Sequence, residues 1–155
     1  MSRINTPFAE VAGVDFSNML KSELNSLFMD LLKKGIHGIS FSAYLEGQEP
    51  GSIITPEQIK KRMNIIKPYV KWVRSFSCVD GNEHIPRIAH DNGIKTLAGA
   101  WLGDDEEKNE IEIEALIKIA KAGFVDIAAI GNEVLLRGDL TEDKIITYID
   151  RVKNE

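Results

Sequence analysis

The chain has 155 residues, enough for one domain with its own core and too few for a second domain of typical size. Apolar residues make up 43% of the sequence and charged residues 28%, so the composition argues against a disordered chain. The formal charge of −5 at pH 7 argues against nucleic acid and anionic membranes as partners.

Cys78 is the only cysteine, so an internal disulfide is excluded and a cysteine-based zinc site is not expected. His37, His84 and His90 lack the spacing of shared metal ligands, and the sequence has no glycine-rich phosphate loop. We therefore expect neither a metal nor a cofactor. The first residues lack the apolar segment of a signal peptide, and no run reaches the ~18 apolar residues of a membrane helix. A cytoplasmic chain is expected, or a secreted one if a signal peptide has been removed.

Helices and strands are predicted to alternate along the chain. The first helix begins near residues 17–18, carries a buried stripe of apolar residues three and four positions apart, and ends at Gly35. The helix over 55–70 has Thr55 as N-cap, with Gln58 placed for a capping box. Strands are predicted over 37–44, 70–77, 94–101 and 124–130, and further helices over 82–93, 110–123 and 141–152.

Four apolar strands, each followed by a helix, predict an α/β fold in which helices cover a parallel sheet. The strands start about thirty residues apart, close to the ~31 residues per unit of an eight-unit barrel. A doubly wound sheet of the flavodoxin type has a similar spacing. The spacing leaves both architectures open.

Aromatic and polar side chains follow the predicted strands at the point where each strand ends. They are Ser42 and Tyr44 after the first strand, Arg74, Phe76 and Ser77 at the second, Trp101, Asp104 and Asp105 after the third, and Asn132 and Glu133 after the fourth. In both architectures, functional residues gather at these ends. Aromatic faces contact the C–H side of a sugar ring, and amide and carboxylate groups bind its hydroxyls. The combination predicts a site for a neutral polyol.

Two charged residues in this set have alternative interpretations. Arg74 lies in an apolar strand and needs a partner if it is buried, for which Glu133 would serve. Such a pair is either part of a site or purely structural. Glu133 follows directly on an apolar strand and a glycine, so it is either a catalytic or binding residue or a solvated residue at a helix entrance.

Three stretches carry a resemblance to a known family: "VRSFSC", "LAGAWLGDDEEKNEIEIEAL" and above all "IGNEVLLRGDLT". They resemble glycoside hydrolase family 17, the β-1,3-glucanase family, over roughly residues 36–153. The resemblance implies a parallel (β/α)4 half of a TIM barrel with an extra N-terminal helix. Residues 1–155 would form one domain, in which residues 1–16 are a flexible or edge segment.

The resemblance also assigns roles at the strand ends. It implies that Glu133 is the general acid/base, that Asn132 holds the hydroxyl next to the reacting carbon, and that Arg74 belongs to the site. Phe76 stands where many members have tyrosine, so a contact that needs this hydroxyl is in doubt. Retention requires one carboxyl that protonates the leaving oxygen and a second, ~5–5.5 Å away, that attacks the sugar carbon.

The second carboxyl is missing from the sequence. In the family the nucleophile is a glutamate after strand seven, in a motif like Glu-Thr-Gly-Trp, and this sequence has no such motif. Three accounts follow: half of a longer hydrolase, two identical chains that close one barrel, or a non-catalytic carbohydrate-binding protein. We expect a glycosidase-type half barrel completed by self-association or by a missing C-terminal half, with an oligosaccharide or polysaccharide as substrate.

Overall fold

The computed structural model describes residues 13–155. Most of the segment predicted to be flexible or at an edge, residues 1–12, lies outside this range. The strands are β1 (Ile36–Ser40), β2 (Val70–Arg74), β3 (Lys95–Ala100) and β4 (Ile127–Ile130). The helices of the described range are α1 (Lys21–Lys34), α2 (Pro56–Ile66), α3 (His84–Asp91), α4 (Glu106–Lys121), α5 (Val134–Arg137) and α6 (Glu142–Asn154).

The predicted alternation of strands and helices is confirmed, with shifted boundaries. Helix α1 begins at Lys21, later than predicted, because the Glu23 carboxylate accepts the backbone N–H of Leu20 at 2.8 Å and caps the helix there. Strand β4 begins at Ile127 because the Asp126 carboxylate, in place of a backbone carbonyl, accepts the N–H of Thr96 at 2.9 Å.

The predicted cap of α2 is confirmed in part. The Thr55 hydroxyl accepts the backbone N–H of Gln58 at 3.2 Å, as an N-cap should. The Gln58 side chain does not close the capping box. Its amide instead donates to the Ala43 carbonyl and to the Gln48 side chain, both at 2.6 Å. Gln58 therefore ties the loop after β1 to the start of α2.

The sheet is parallel throughout, and its strands lie in the order β1-β2-β3-β4. The structure confirms an α/β fold. The consecutive order differs from that of flavodoxin, in which the first strand lies between the second and the third. Because all four strands are parallel and adjacent in sequence order, their carboxyl ends meet at one edge of the sheet.

Two clusters of buried side chains lie between the sheet and its helices. The first joins β1 and β2 to α2 and α3 through residues such as Val73, Ile59 and Ile85. The second joins β3 and β4 to α4 and α6 through residues such as Ala98 and Leu116. These apolar contacts are the main source of stability in the described range.

The opposite face of the sheet carries a row of neighbouring residues that belongs to neither cluster. Its members, paired in register across the four strands, are Ser40, Arg74, Leu97 and Ile127. Ile127 is 48% exposed, and Trp72 lies on the same face one pair earlier. We call this surface the inner face. Among residues 13–155, it has no buried apolar layer packed on it.

The apolar stripe of α1 is not buried, contrary to the prediction. Within the described chain α1 contributes no buried side chain, and Leu20 and Phe28 are 67% and 59% exposed. The spacing of apolar residues indicates that one face of the helix packs against an apolar surface, and residues 13–155 do not provide a surface that buries it. Of the helices described, none is both long and apolar enough to cross a membrane.

Candidate functional site

The loops that follow β1, β2 and β3 surround a cleft of about 800 Å³ at the carboxyl end of the sheet. This volume is within the usual range for small-molecule sites, about 300–1,000 Å³. Seven residues predicted from the strand ends line it together: Ser42, Tyr44, Phe76, Ser77, Trp101, Asp104 and Asp105. Trp101 is 45% exposed, so part of its indole is free to contact a ligand.

Arg74, Asn132 and Glu133 are not among the residues that line the cleft. Arg74 reaches across the inner face and donates through Nη2 to Oδ1 of Asn132 at 2.8 Å. Its guanidinium also lies 4.5 Å from the ring centre of Phe76, a cleft residue. Arg74 therefore connects the end of β4 to the cleft wall.

The expected pairing of Arg74 with Glu133 is not found. Within the described range, Arg74 forms no ion pair, and its Nε is buried without a hydrogen-bond partner. The Glu133 carboxylate is likewise without a hydrogen bond or ion pair to any residue of 13–155, and the residue is exposed. The amide of Asn132 takes the guanidinium instead, which leaves the carboxylate available to other groups.

Glu133 has an unusual backbone conformation. Its φ of 56° and ψ of 20° lie in the left-handed region, where Glu133 forms the N-cap of α5. This conformation costs a residue with a Cβ about 1–2 kcal/mol, and glycine or asparagine adopts it more readily. Strained residues of this kind cluster at functional sites. The turn thus holds a glutamate at a position where its side chain is not needed for folding.

Arg137 is a residue of the site that the sequence analysis did not identify. It donates to the backbone carbonyl of Asn132 and, at 2.9 Å, to that of Leu102, and its guanidinium lies 5.0 Å from the ring centre of Trp101. Asp139 completes its hydrogen bonds at 2.6 Å. Arg137 therefore joins the Trp101 wall of the cleft to the turn that carries Glu133. In the sequence, the feature that could have identified Arg137 is its position one helical turn after Glu133.

Glu112 of α4 is the second residue that the sequence analysis missed. It is 5% exposed and lines the cleft from behind. It accepts the Ser77 hydroxyl at 2.5 Å and the backbone N–H of Cys78 at 2.7 Å. Burial raises the pKa of the Glu112 carboxyl above its usual value, although these donors act in the opposite direction. Its spacing of four from Leu116, on the buried stripe of α4, was the available signal.

Cys78 lies beneath the cleft and is 1% exposed. Its thiol donates to the Gly99 carbonyl at 3.3 Å, and burial raises the pKa of the thiol well above its usual value. A buried, protonated thiol is unreactive. The described residues also contain no group of three or more His, Cys, Asp or Glu side chains that could hold a metal ion.

A parallel α/β sheet with an aromatic cleft and a free carboxylate at its carboxyl edge has the layout of a sugar-processing domain. The family described as "BtgE/BtgC glycoside hydrolase domain" matches residues 38–155. Since this match covers most of the sequence, the chain belongs to that family of glycoside hydrolase domains. No curated protein and no solved structure is found to match the chain. The predicted glycoside hydrolase domain is confirmed, whereas family 17 and β-1,3-glucan stay predictions.

Proposed function

We propose that the chain is the acid-bearing half of a family-17-like TIM barrel that cleaves O-glycosyl bonds of a β-1,3-glucan-like polysaccharide. The observation that carries the proposal is the left-handed backbone of Glu133, which presents a free, exposed carboxylate at the end of β4. An isolated glutamate is a poor choice for this backbone conformation unless its carboxyl has a function.

Glu133 is assigned the role of general acid/base. In a retaining reaction its carboxylic acid gives a proton to the leaving glycosidic oxygen while a second carboxylate, ~5–5.5 Å away, attacks the sugar carbon. The ionised Glu133 then removes a proton from the water that releases the sugar. The second carboxylate is the nucleophile that this sequence does not provide.

Asn132 is assigned to a sugar hydroxyl, and its hydrogen bond to Arg74 supports this role. Because the guanidinium has only donors, it fixes the amide oxygen of Asn132 toward Arg74. The amide NH₂ is thereby left to donate to an oxygen beside the reacting carbon. Arg74 acts in this scheme by orienting Asn132, and its positive charge is available to the missing nucleophile.

The aromatic cleft is assigned to the sugar units next to the scissile bond. Tyr44, Phe76 and Trp101 give apolar faces for sugar rings, and Asp104 gives an acceptor for hydroxyls. The Arg137 bridge places this wall beside Glu133. A bound glucan would extend from the cleft across the carboxyl edge of the sheet toward Glu133.

The inner face supports completion of the barrel by four further strands. It exposes apolar side chains such as Ile127, and its Arg74 guanidinium lacks a carboxylate partner within the described range. A second copy of the chain, or the C-terminal half of a longer hydrolase, would cover this face. In a pair of identical chains, two Glu133 residues would share one barrel mouth.

Self-association is checked by the mass in solution. We expect size exclusion with light scattering to give twice the 17.3 kDa mass of the chain, because an uncovered apolar sheet face favours pairing. Replacement of Ile127 by lysine on the inner face should return the mass to that of a monomer. A wild-type monomer at micromolar concentration would exclude the paired barrel and leave the missing half as the partner.

A second candidate function, carbohydrate binding without catalysis, is favoured by the position of Glu133 outside the cleft lining. The two functions are separated by incubating the protein with a β-1,3-linked glucose oligosaccharide. Release of reducing ends supports the hydrolase. Quenching of tryptophan fluorescence without release, by a protein that light scattering shows to be paired, supports the binding protein, since Trp101 lines the cleft. If neither occurs at millimolar oligosaccharide, both assignments are wrong.

A further inference from the structure

Glu112 is a buried carboxylate, and the free-energy cost of removing it from water must be offset by its contacts. It is 5% exposed, and the described residues offer it no ion pair with Lys or Arg. Removing a carboxylate from water is costly unless hydrogen bonds replace the lost hydration. A glutamine or leucine would fill the same place on α4 without this cost. Packing alone therefore does not explain why position 112 has a carboxylate.

Glu112 connects the two aromatic walls of the cleft. The Ser77 hydroxyl and the Cys78 N–H, which Glu112 accepts, directly follow Phe76. Glu112 itself belongs to α4, where the Asn109 side chain bonds to both backbone groups of Gly103, two residues after Trp101, at 2.8 Å. Through Glu112 and Asn109, α4 thus links the backbone after Phe76 to the backbone after Trp101. Bonds to an ionised acceptor such as Glu112 are stronger than those between neutral groups.

The strands below these walls are already in close contact. A Cβ added to Gly99 of β3 would lie 2.8 Å from the carbonyl of Ser75, the residue after β2, and the Cys78 thiol donates to the Gly99 carbonyl. The strands therefore cannot approach further. Above them the walls continue as loops, and the bonds from Glu112 tie the loop that follows Phe76 to α4.

We propose that Glu112 is a positioning residue that fixes the distance between the Phe76 and Trp101 walls of the cleft, and with it the fit of a flat sugar ring. That the ligand is a sugar rests on the proposed function. The spacing itself rests on the bonds that Glu112 and Asn109 of α4 form with the two walls. Ser77 shares the role, since its hydroxyl donates to Glu112 and accepts the Val79 N–H at 3.2 Å.

The experiment compares Glu112→Gln with Glu114→Gln, a matched control on the exposed side of the same helix. The sequence has two tryptophans, so both variants are made in a Trp72→Phe background, which leaves Trp101 as the single tryptophan. The amide of glutamine turns an NH₂ toward the donors that the carboxylate accepts. We expect acrylamide quenching of Trp101 to rise at least about twofold in Glu112→Gln alone, with unchanged far-UV circular dichroism.

Ligand binding is measured on the same proteins with a β-1,3-linked glucose oligosaccharide. We expect affinity to fall about tenfold or more in Glu112→Gln and to be unchanged in Glu114→Gln. If Glu112→Gln does not fold, Ser77→Ala removes a single bond and is expected to give smaller changes of the same sign.

The outcomes separate the positioning role from the proposed function. Equal quenching of Trp101 in Glu112→Gln and Glu114→Gln, or in Ser77→Ala and wild type where that variant is used, would overturn the positioning role. Altered quenching in a protein that binds no oligosaccharide in any form would support the positioning role and refute the sugar-binding cleft. Altered quenching with unchanged affinity would overturn the claim that the wall spacing sets the fit of a sugar.

Discussion

Replacement of Glu133 by glutamine is expected to lower the release of reducing ends from a β-1,3-linked oligosaccharide at least about 100-fold, the usual contribution of a general acid/base. Glutamine keeps the shape of the side chain but cannot transfer a proton to the leaving oxygen. Because Glu133 lies outside the cleft lining, quenching of Trp101 by the oligosaccharide should persist. The assay uses the assembly in which the wild-type protein releases reducing ends.

The control for this variant is Glu142→Gln, which removes the same charge from the exposed first turn of α6. It should retain wild-type activity. A Glu133→Gln protein with more than a tenth of the wild-type rate would contradict the assignment of Glu133 as general acid/base.

A glycine at position 133 distinguishes function from folding. Since φ is 56° there, Glu133→Gly should raise the free energy of unfolding by on the order of 1 kcal/mol while removing activity. Urea denaturation provides the measurement. A loss of stability would mean that the glutamate side chain supports the fold.

Replacement of Gly81 by alanine is expected to destabilise the protein by about 3–5 kcal/mol. The backbone at Gly81 has a φ of +90°, and an added Cβ would lie 1.9 Å from the carbonyl oxygen of Ile54. The backbone N–H of Ile54 also donates to the Asp80 carbonyl at 2.9 Å, so the loops after β1 and β2 are in direct backbone contact. The alanine would force apart these two loops, which carry Tyr44 and Phe76.

Gly93→Ala is the matched control. Gly93 also has a positive φ, +72°, but an added Cβ would meet no atom within 4 Å. Its cost should therefore be the backbone term alone, about 1–2 kcal/mol. Guanidinium denaturation of both variants gives the difference. Equal destabilisation would show that the loops after β1 and β2 move apart without cost.

The sequence predicted the elements whose signals are local. The alternation of strands and helices, the N-cap at Thr55 and the cleft residues at the ends of β1 to β3 all follow from periodicity, capping and the geometry of parallel sheets. Contacts between distant segments carry no such signal. The bond from Glu112 to Ser77 spans 35 positions, and nothing at either residue identifies the other.

Two further differences have separate physical causes. Helix α5 is four residues long, too short for an apolar period, so the sequence does not identify Arg137 as part of a helix that follows Glu133. The stripe of α1 was predicted to be buried because amphipathic helices usually pack on their own chain. In the described range Leu24 is exposed and Leu27, Leu31 and Leu32 are only half-buried. A pattern of apolar residues specifies a face, and not the partner that covers it.

The Arg137 guanidinium contacts two parts of the proposed site, the aromatic cleft and the turn that carries Glu133. It lies against the indole of Trp101, and it bonds to the carbonyl of Asn132, next to Glu133. Under the proposed function, we expect a sugar ring that competes with Arg137 for this indole to change the free energy of the turn. By linkage, the conformation of Glu133 would then change the affinity for sugar. Binding of sugar at the Trp101 end of the proposed site would thereby affect Glu133 at its other end.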